Sequence, residues 1–216
     1  RELAHFITAM GELDCSGDAA LPSNYNVSPS QSAWVVHRSS GNAAVSAMSW
    51  GFVPEWASET RFTRPINARS ETAHEKPMFR TAFSKQRCLV LCDGYYEWQR
   101  LSKGHKQPHY FCLPLGAPMI LAGLWSSNDR LTGNVLQTFC VLTVSASPVV
   151  NSVHHRMPVI LDQEGQSAWL DPARPEEAAL RPWLRPWEGE IEVAPVSTFV
   201  NSPVNNSAQC IQPLQA

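Results

Sequence analysis

Four short polar segments, embedded in otherwise apolar stretches, carry the side chains that could do chemistry. They are residues 25–29 (YNVSP), 66–72 (INARSET), 92–98 (CDGYYEW) and 153–158 (VHHRMP). The sequence lacks GxSxG, GxGxxG, a Walker loop and HExxH, which removes the commonest enzyme classes. The remaining candidates for chemistry in the printed sequence are the polar side chains of these four segments.

Asn67 and Arg69 are two residues apart, so in an extended segment both side chains project from the same face. An arginine placed in this way can grip a phosphate with two hydrogen bonds while the neighbouring amide orients a substrate oxygen. The same pattern also fits a loop that is tied down by an arginine–carboxylate pair, with Glu71 as the candidate partner. The spacing leaves both interpretations open.

Glu97 stands between Tyr96 and Trp98, at the end of a strongly apolar segment. Aromatic walls that remove water from a carboxylate raise its pKa toward the range used in general acid–base catalysis. Strand alternation offers another interpretation, in which Tyr95, Glu97 and Gln99 form the wet face of an edge strand.

His154 and His155 are adjacent, and in an extended segment their rings would diverge and could not share a metal. His154 and Arg156 would share a face, which repeats the pattern of Asn67 and Arg69. Neither the histidines nor the six cysteines have the spacing of metal ligands, so we predict no metal and no cofactor. Several cysteines lie in apolar runs and are expected to be buried, reduced thiols.

The net charge of −2 argues against a protein that coats nucleic acid indiscriminately, but the charge is unevenly distributed. The window from Arg61 to Lys106 carries a net charge of +6 and the remainder −8, which predicts one positive face or a clustered, solvated surface. Trp56 follows a proline at the end of an apolar run and is the tryptophan most expected to be exposed. Bases of single-stranded DNA stack on such rings.

The elements that must position these side chains are mainly strands. We predict strands at 33–37, 43–52, 88–99, 108–113, 118–125, 136–145 and 157–161, helices at 2–10, 78–86, 166–170 and 175–184, a loop over 14–24, and a hairpin tip at 103–106. This order is typical of an α+β fold, with a sheet or barrel and a few flanking helices. We expect one domain over residues 1–216, with no signal peptide or membrane span and a cytoplasmic location.

Taken together and in this order, the segments resemble the SRAP (SOS-response-associated peptidase) family. The resemblance runs from Tyr25 to Pro213 and rests on YNVSP, WGFVPEW, INARSET, MFR, CDGYYEW, KQPHYF, HHRMPVIL and the terminal CIQP. It implies a mixed β-barrel-like fold with a positively charged channel for single-stranded DNA containing abasic sites. It further implies a monomer that acts without a metal or a membrane in the DNA-damage (SOS) response.

The resemblance also implies a mechanism, in which autoproteolytic removal of the initiator Met exposes an N-terminal Cys. Its α-amine attacks the aldehyde of a ring-opened abasic deoxyribose, and its thiol closes a thiazolidine. By resemblance, Asn67 positions the N-terminal residue, Glu97 manages protons, and His154 assists ring opening. The side chains assigned by resemblance to DNA binding are Arg69, Arg156, Trp56, Thr143 and Arg80.

The sequence departs from the family at its start, because the opening Met-Cys-Gly-Arg is absent before Arg1. We therefore expect a short segment carrying the nucleophile to precede Arg1, since Cys15 has no free α-amine. His155 stands where relatives often carry an acid. The alternative functions are a non-covalent module that binds single-stranded nucleic acid, a conventional peptidase acting on other proteins, and a metal-binding or purely structural barrel. The peptidase lacks the serine, cysteine or metal constellation that hydrolysis of other proteins needs, and the barrel is disfavoured because neither the histidines nor the cysteines have ligand spacing.

Overall fold

The computed structural model describes residues 6, 15–16, 21–39, 42–59, 63–131 and 133–215. The strands of the described chain are β1 (Cys15–Ser16), β2 (Ser32–Ser39), β3 (Asn42–Trp50), β4 (Asn67–Arg69), β5 (Arg87–Cys92), β6 (Gly94–Arg100), β7 (Lys106–Cys112), β8 (Met119–Asn128), β9 (Leu136–Ser145), β10 (Arg156–Pro158) and β11 (Glu192–Pro195). The helices are α1 (Ser70–Ala73), α2 (Arg80–Lys85), α3 (Pro148–Asn151), α4 (Gln163–Leu170) and α5 (Glu177–Leu180). Short 3₁₀ turns occupy Ser102–Gly104, Pro114–Gly116, Arg181–Trp183, Thr198–Asn201 and Ala208–Ile211.

An eight-stranded mixed sheet forms the centre of the fold, in the order β1-β3-β2-β5-β8-β9-β10, with β4 also paired to β9. A further pairing of β3 with β9 curls this sheet toward a barrel, and the few helices flank it. Its strands are rich in apolar residues because both of their faces are covered; Val36, Leu89, Leu124 and Leu142 have no exposed surface. The predicted α+β, barrel-like fold class is confirmed.

Strand β9 is the centre of the candidate site because four strands pair with it. On one edge β8 pairs with its first half and β10 with its second half, both antiparallel. On the other edge β3 and then β4 pair with it, both parallel. Thr143 in β9 is thus the register partner of Arg69 in β4 and of Pro158 in β10. Residues that are opposite each other in a ladder project from the same face, so β9 aligns side chains from three strands.

A second sheet of three strands, in the order β11-β7-β6, packs beside the first. The single strand predicted over 88–99 is wrong, since β5 ends at Cys92 in the large sheet and β6 begins at Gly94 in the small one. Gly94 allows this transfer: a Cβ atom there would overlap the carbonyl oxygen of Phe111 and lie 2.7 Å from the Tyr110 ring. Glu97 therefore belongs to the second sheet.

The remaining predicted elements differ from the structure mainly at their ends. Helix α4 begins earlier than predicted because Asp162 caps it, with its carboxylate accepting a hydrogen bond from the Gly165 N–H at 2.7 Å. The helix predicted over 175–184 is divided into α5 and a 3₁₀ turn, with Pro182 at the start of the turn. The hairpin tip predicted at 103–106 is realised by a 3₁₀ turn between β6 and β7.

The first twenty residues are described only in part. The helix predicted over 2–10 lies outside the described residues except for Phe6, which is helical and packs edge-on against Trp34. The loop predicted over 14–24 contains β1, which pairs in parallel with β3.

Three cysteines, Cys88, Cys140 and Cys210, are fully buried, and these three are free thiols, as are Cys92 and Cys112. Burial raises the pKa of Cys92 to about 12, which suppresses its thiolate. The helices of the described residues include none that is long and apolar enough to cross a bilayer.

Candidate functional site

One sheet face, at the carboxyl end of β9, gathers Asn67, Arg69, Thr143 and Arg156. Asn67 and Arg69 are both exposed and flank the buried Ala68, as expected for an extended segment. Register pairing places Asn67 opposite Val141 and Arg69 opposite Thr143, with Arg156 opposite Ser145 on the other side of β9. Two cations and one amide therefore project from the same face within three adjacent strands.

Arg156 is held by a carboxylate that the sequence did not assign to it. Its Nη1 and Nη2 donate to the two carboxylate oxygens of Glu71 at 2.6 and 2.8 Å, and Nη2 also donates to the carbonyl of Thr143. The hydrogen bond from Arg156 holds the pKa of Glu71 below its usual value. The expected arginine–carboxylate pair at Glu71 exists, but its cation is Arg156 rather than Arg69.

Glu97, in β6 of the second sheet, faces the loop that leads into β10. Its Oε1 lies 3.5 Å from Nδ1 of His154, and its side chain is 26% exposed. Burial raises the pKa of Glu97, and the nearby His154 only partly offsets that effect. A carboxylate with a raised pKa beside an imidazole is suited to proton transfer.

The wet-face interpretation of β6 is wrong for Tyr95, whereas Gln99 remains partly exposed. The Tyr95 ring stacks on Phe111 with centroids 4.8 Å apart, and Gln99 Nε2 donates to the carbonyl of Ser152. The face that carries Glu97 therefore points into the junction with the large sheet. Desolvation at this junction is what changes the acidity of the carboxyl group.

His154 connects Glu97 to the arginine-bearing face. Its Nδ1 lies 3.3 Å from the backbone N of Arg156 and 3.1 Å from the Arg156 carbonyl oxygen. The same nitrogen also contacts the carboxylate of Glu97. A neutral Nδ1 with a free lone pair accepts from the Arg156 N–H, whereas a protonated Nδ1 donates to the carboxylate or the carbonyl. Nδ1 therefore has a hydrogen-bond partner within reach whether it donates or accepts.

The expectation that the His154 and His155 rings diverge is wrong. Their centroids are 4.5 Å apart, because the chain bends at this point and becomes extended only from Arg156. The two rings line a cleft of about 530 Å³ together with Trp98, Gln99, Arg100 and residues 151–153. Within the described ranges, no group of three or more His, Cys, Asp or Glu side chains could hold a metal ion.

Most of the candidate residues belong to one connected site. Glu97 contacts His154, and His154 contacts the backbone of Arg156. The Arg156 side chain binds Glu71 and Thr143, and Asn67 and Arg69 lie on the neighbouring strand β4. Trp56 and Arg80 are in other segments. Trp56 follows β3 and is 54% exposed, and Arg80 is exposed at the start of α2. Trp50 helps to place Asn67, since its indole N–H donates to the carbonyl of Ile66 at 2.9 Å.

Glu71 is the residue of the site that sequence reasoning misplaced. Its position two residues after Arg69 suggested a local pair, but the observed partner lies 85 residues away. Nothing in the local spacing indicates this partner, because strand β9 alone brings β4 and β10 to opposite edges of one ladder.

The cations of the positive window are not all available on a surface. Arg61 lies outside the described residues, and Arg87 is only 6% exposed. The Arg87 guanidinium donates to four backbone carbonyls, at Phe83, Ser84, Trp169 and Asp171, and so joins the ends of α2 and α4.

Comparison with known proteins places these residues in a family context. The family model described as SOS response associated peptidase (SRAP) matches residues 2–203. The chain is 35% identical over 191 residues to the abasic site processing protein YoqW of Bacillus subtilis (strain 168), covering 88% of this chain and 85% of that protein. It is 34% identical over 193 residues to the abasic site processing protein HMCES of Gallus gallus, covering 78% of this chain and 57% of that protein.

Solved structures agree with the sequence comparison. The chain is similar to a crystal structure of a protein from Bacteroides thetaiotaomicron with a TM-score of 0.77 and 27% identity, covering 86% of this chain and 82% of the other. A crystal structure of a protein from Bordetella bronchiseptica matches with a TM-score of 0.74 and 24% identity, covering 91% of this chain and 96% of the other, and it supports the fold alone.

Proposed function

The chain belongs to the SRAP family, and from this premise we propose that it recognises abasic sites in single-stranded DNA and links to them covalently through an N-terminal cysteine. Relatives named abasic site processing proteins support the DNA-processing role. The observation that carries the proposal is the contact between Glu97 and His154 at the edge of the face that bears Arg69 and Arg156. This arrangement places two side chains that can transfer protons next to two arginines that can bind phosphates.

The proposed reaction joins one carbon of the lesion to two atoms of one residue. The α-amine of the cysteine attacks the C1′ aldehyde of the ring-opened sugar, and the resulting carbinolamine loses water to give an imine. The thiol sulfur then adds to the same carbon, and its proton passes to the nitrogen. One C–N bond and one C–S bond form, one water is released, and no oxidant or reductant is required.

Glu97 and His154 supply the proton transfers in this scheme. An α-amine with a pKa of about 7.7–8.0 is partly neutral near pH 7, so a carboxylate with a raised pKa is a suitable acceptor for its remaining proton. His154 gives a proton to the sugar ring oxygen as the ring opens and takes one from the C1′ hydroxyl as the aldehyde forms. It later protonates the carbinolamine hydroxyl that leaves as water. The exposed Asn67 amide positions the cysteine.

The autoproteolytic step uses the same carboxylate. Glu97 assists the attack of one water on the peptide bond between the initiator methionine and the cysteine, which releases methionine as its free acid and leaves the cysteine α-amine. Burial favours its protonated form, which can protonate the leaving α-amine. The same group then serves the exposed amine in the crosslinking step, so one side chain manages protons at one nitrogen throughout.

The DNA strand lies along the arginine-bearing face. Arg69 and Arg156 contact phosphates, Thr143 contacts the backbone beside the lesion, and Trp56 stacks on a base, a contact worth about 1–3 kcal/mol. Arg80 adds a further phosphate contact. The protein acts as a monomer, in the cytoplasm and at the nucleoid when bound to DNA.

The test uses the chain extended at its amino terminus by the family's opening Met-Cys-Gly-Arg. We expect a band that survives denaturing electrophoresis after incubation with a single-stranded oligonucleotide containing one abasic site. Replacing the added cysteine with serine abolishes the band, and the unextended chain binds DNA only reversibly. Reversible binding by the extended protein, without a stable band, would instead establish a non-covalent single-strand-binding module.

A further inference from the structure

The guanidinium of Arg156 is occupied by a carboxylate at the two nitrogens that a phosphate would use. Nη1 and Nη2 donate to Glu71 Oε1 and Oε2 at 2.6 and 2.8 Å. Arginine binds phosphates through the same bidentate geometry. A DNA phosphate and the Glu71 carboxylate therefore compete for the same donors.

The two partners of this ion pair differ in their freedom to move. The Arg156 side chain is 16% exposed and is also tethered to the carbonyl of Thr143, whereas the Glu71 side chain is 49% exposed. When a phosphate arrives, the guanidinium keeps its place and Glu71 rotates toward solvent. Arg69 also acts on Glu71 through its charge and is the register partner of Thr143, so the carboxylate lies within the field of both arginines.

We propose that Glu71 is a specificity-determining residue that competes with phosphate for Arg156, so that undamaged single strands gain little from this arginine. This inference rests on the proposed function. Exchanging a carboxylate for a phosphate replaces one bidentate pair by another, so the net gain in binding free energy is small. Because the Glu71 side of the pair is half-exposed, the loss of the pair itself costs little.

An abasic nucleotide can displace Glu71 from Arg156 at a lower cost in free energy than an intact nucleotide can. The Arg156 side chain is mostly buried, so a phosphate must approach it closely to accept hydrogen bonds from both Nη atoms. An intact nucleotide can approach in this way only if its base unstacks from the neighbouring bases. The cost of unstacking is least for a damaged nucleotide. While Glu71 is bound to Arg156, the arginine adds little to the binding of an undamaged strand. A strand that contains an abasic site is therefore bound in preference to an undamaged one.

The experiment measures reversible binding, so that it is independent of crosslinking. Two matched single-stranded oligonucleotides are used, one undamaged and one containing a tetrahydrofuran residue, which mimics an abasic site but has no aldehyde. Dissociation constants of the wild-type protein and of Glu71→Gln are measured by fluorescence anisotropy at several salt concentrations. Glu71→Ala serves as a second variant, and thermal melting verifies that each variant is folded.

Glu75→Gln is the matched control, since it removes the same charge four positions away. Glu75 is 72% exposed, and its contact is with His74 at 3.5 Å. We expect Glu71→Gln to bind the undamaged strand about two- to fivefold more tightly than wild type and to lose part of its preference for the tetrahydrofuran strand. Its salt slope for the undamaged strand should steepen by about 0.7, the value for one additional phosphate on a single strand.

Two negative results have different meanings. If the wild-type protein binds both strands and Glu71→Gln binds the undamaged strand no better than Glu75→Gln does, the competition is refuted while the proposed function stands. If the wild-type protein binds neither strand, the proposed function fails and the inference fails with it.

Discussion

The carboxylate of Glu97 lies 3.5 Å from the imidazole of His154, although the two residues belong to different sheets. Glu97 is in β6 of the three-stranded sheet, and His154 precedes β10, the last strand of the large sheet. Their contact spans the junction where burial raises the pKa of Glu97. The Arg156 backbone then joins His154 to the arginine-bearing face, so a carboxylate–imidazole pair and two arginines share one site.

Glu97→Gln tests the proton-transfer role through the pH dependence of crosslinking. Glu97 acts as a base only when ionised, so the wild-type rate should rise as pH increases through the raised pKa of this group. In Glu97→Gln we expect the rate to fall about 100-fold and this rise to disappear, leaving only the dependence of the α-amine. Single-turnover crosslinking from pH 5 to about 9 measures both, on wild-type and variant proteins whose free N-terminal cysteine has been verified by mass. A variant that retains the wild-type profile would contradict the role.

The same substitution should stabilise the folded protein at high pH. Because the pKa of Glu97 is raised on folding, the folded state binds more protons than the unfolded state between the unfolded and folded pKa values. Stability therefore falls as pH rises through that window. Glu97→Gln should melt at a higher temperature than wild type above the window, and the difference should shrink below it. A difference that is constant with pH would contradict the raised pKa.

Arg69→Gln should weaken binding to single strands of any sequence. Arg69 is exposed on the same face as Thr143, where it can contact a phosphate. We expect lower affinity for both the undamaged and the tetrahydrofuran strand, with the salt slope reduced by about 0.7. Arg185→Gln, at an exposed arginine that pairs with Glu188, controls for the loss of one positive charge. Equal effects of the two substitutions would exclude a direct contact by Arg69.

Arg87→Met should destabilise the fold without changing DNA binding. The substitution leaves four carbonyls at the ends of α2 and α4 without their donor, and we expect the free energy of unfolding to fall by about 3 kcal/mol. Lys85→Met, at the exposed last residue of α2, is the control. Urea denaturation measures both variants. A loss no greater than that of Lys85→Met would show that Arg87 is not a structural cap.

Local patterns in the sequence were sufficient to predict most of the strands. They were also sufficient to predict which side chains of a short segment share a face. The spacing of Asn67 and Arg69 correctly indicated that their side chains project from one face, and the structure shows both exposed, with Ala68 buried between them. Apolar runs located β2, β3, β8 and β9, because buried strands require such residues on both faces. These properties depend on a few neighbouring residues.

Properties that depend on distant packing were not predictable from the sequence. The change of sheet at Gly94 follows from the close approach of the Phe111 carbonyl, and the sequence does not encode this contact locally. The Glu71–Arg156 pair depends on β4 and β10 flanking the same strand. The contact between the His154 and His155 rings arises from a bend that alternation in an extended segment does not anticipate.

The most direct test of the account is the mass of the denatured product between the Met-Cys-extended protein and an abasic-site oligonucleotide. We expect the mass of the processed protein plus the oligonucleotide minus one water, formed without a reducing agent and located on the N-terminal cysteine by peptide mapping. Asn67→Ala should lower the yield of this product. A product that appears only after borohydride reduction, or that maps to an internal residue, would contradict the thiazolidine mechanism.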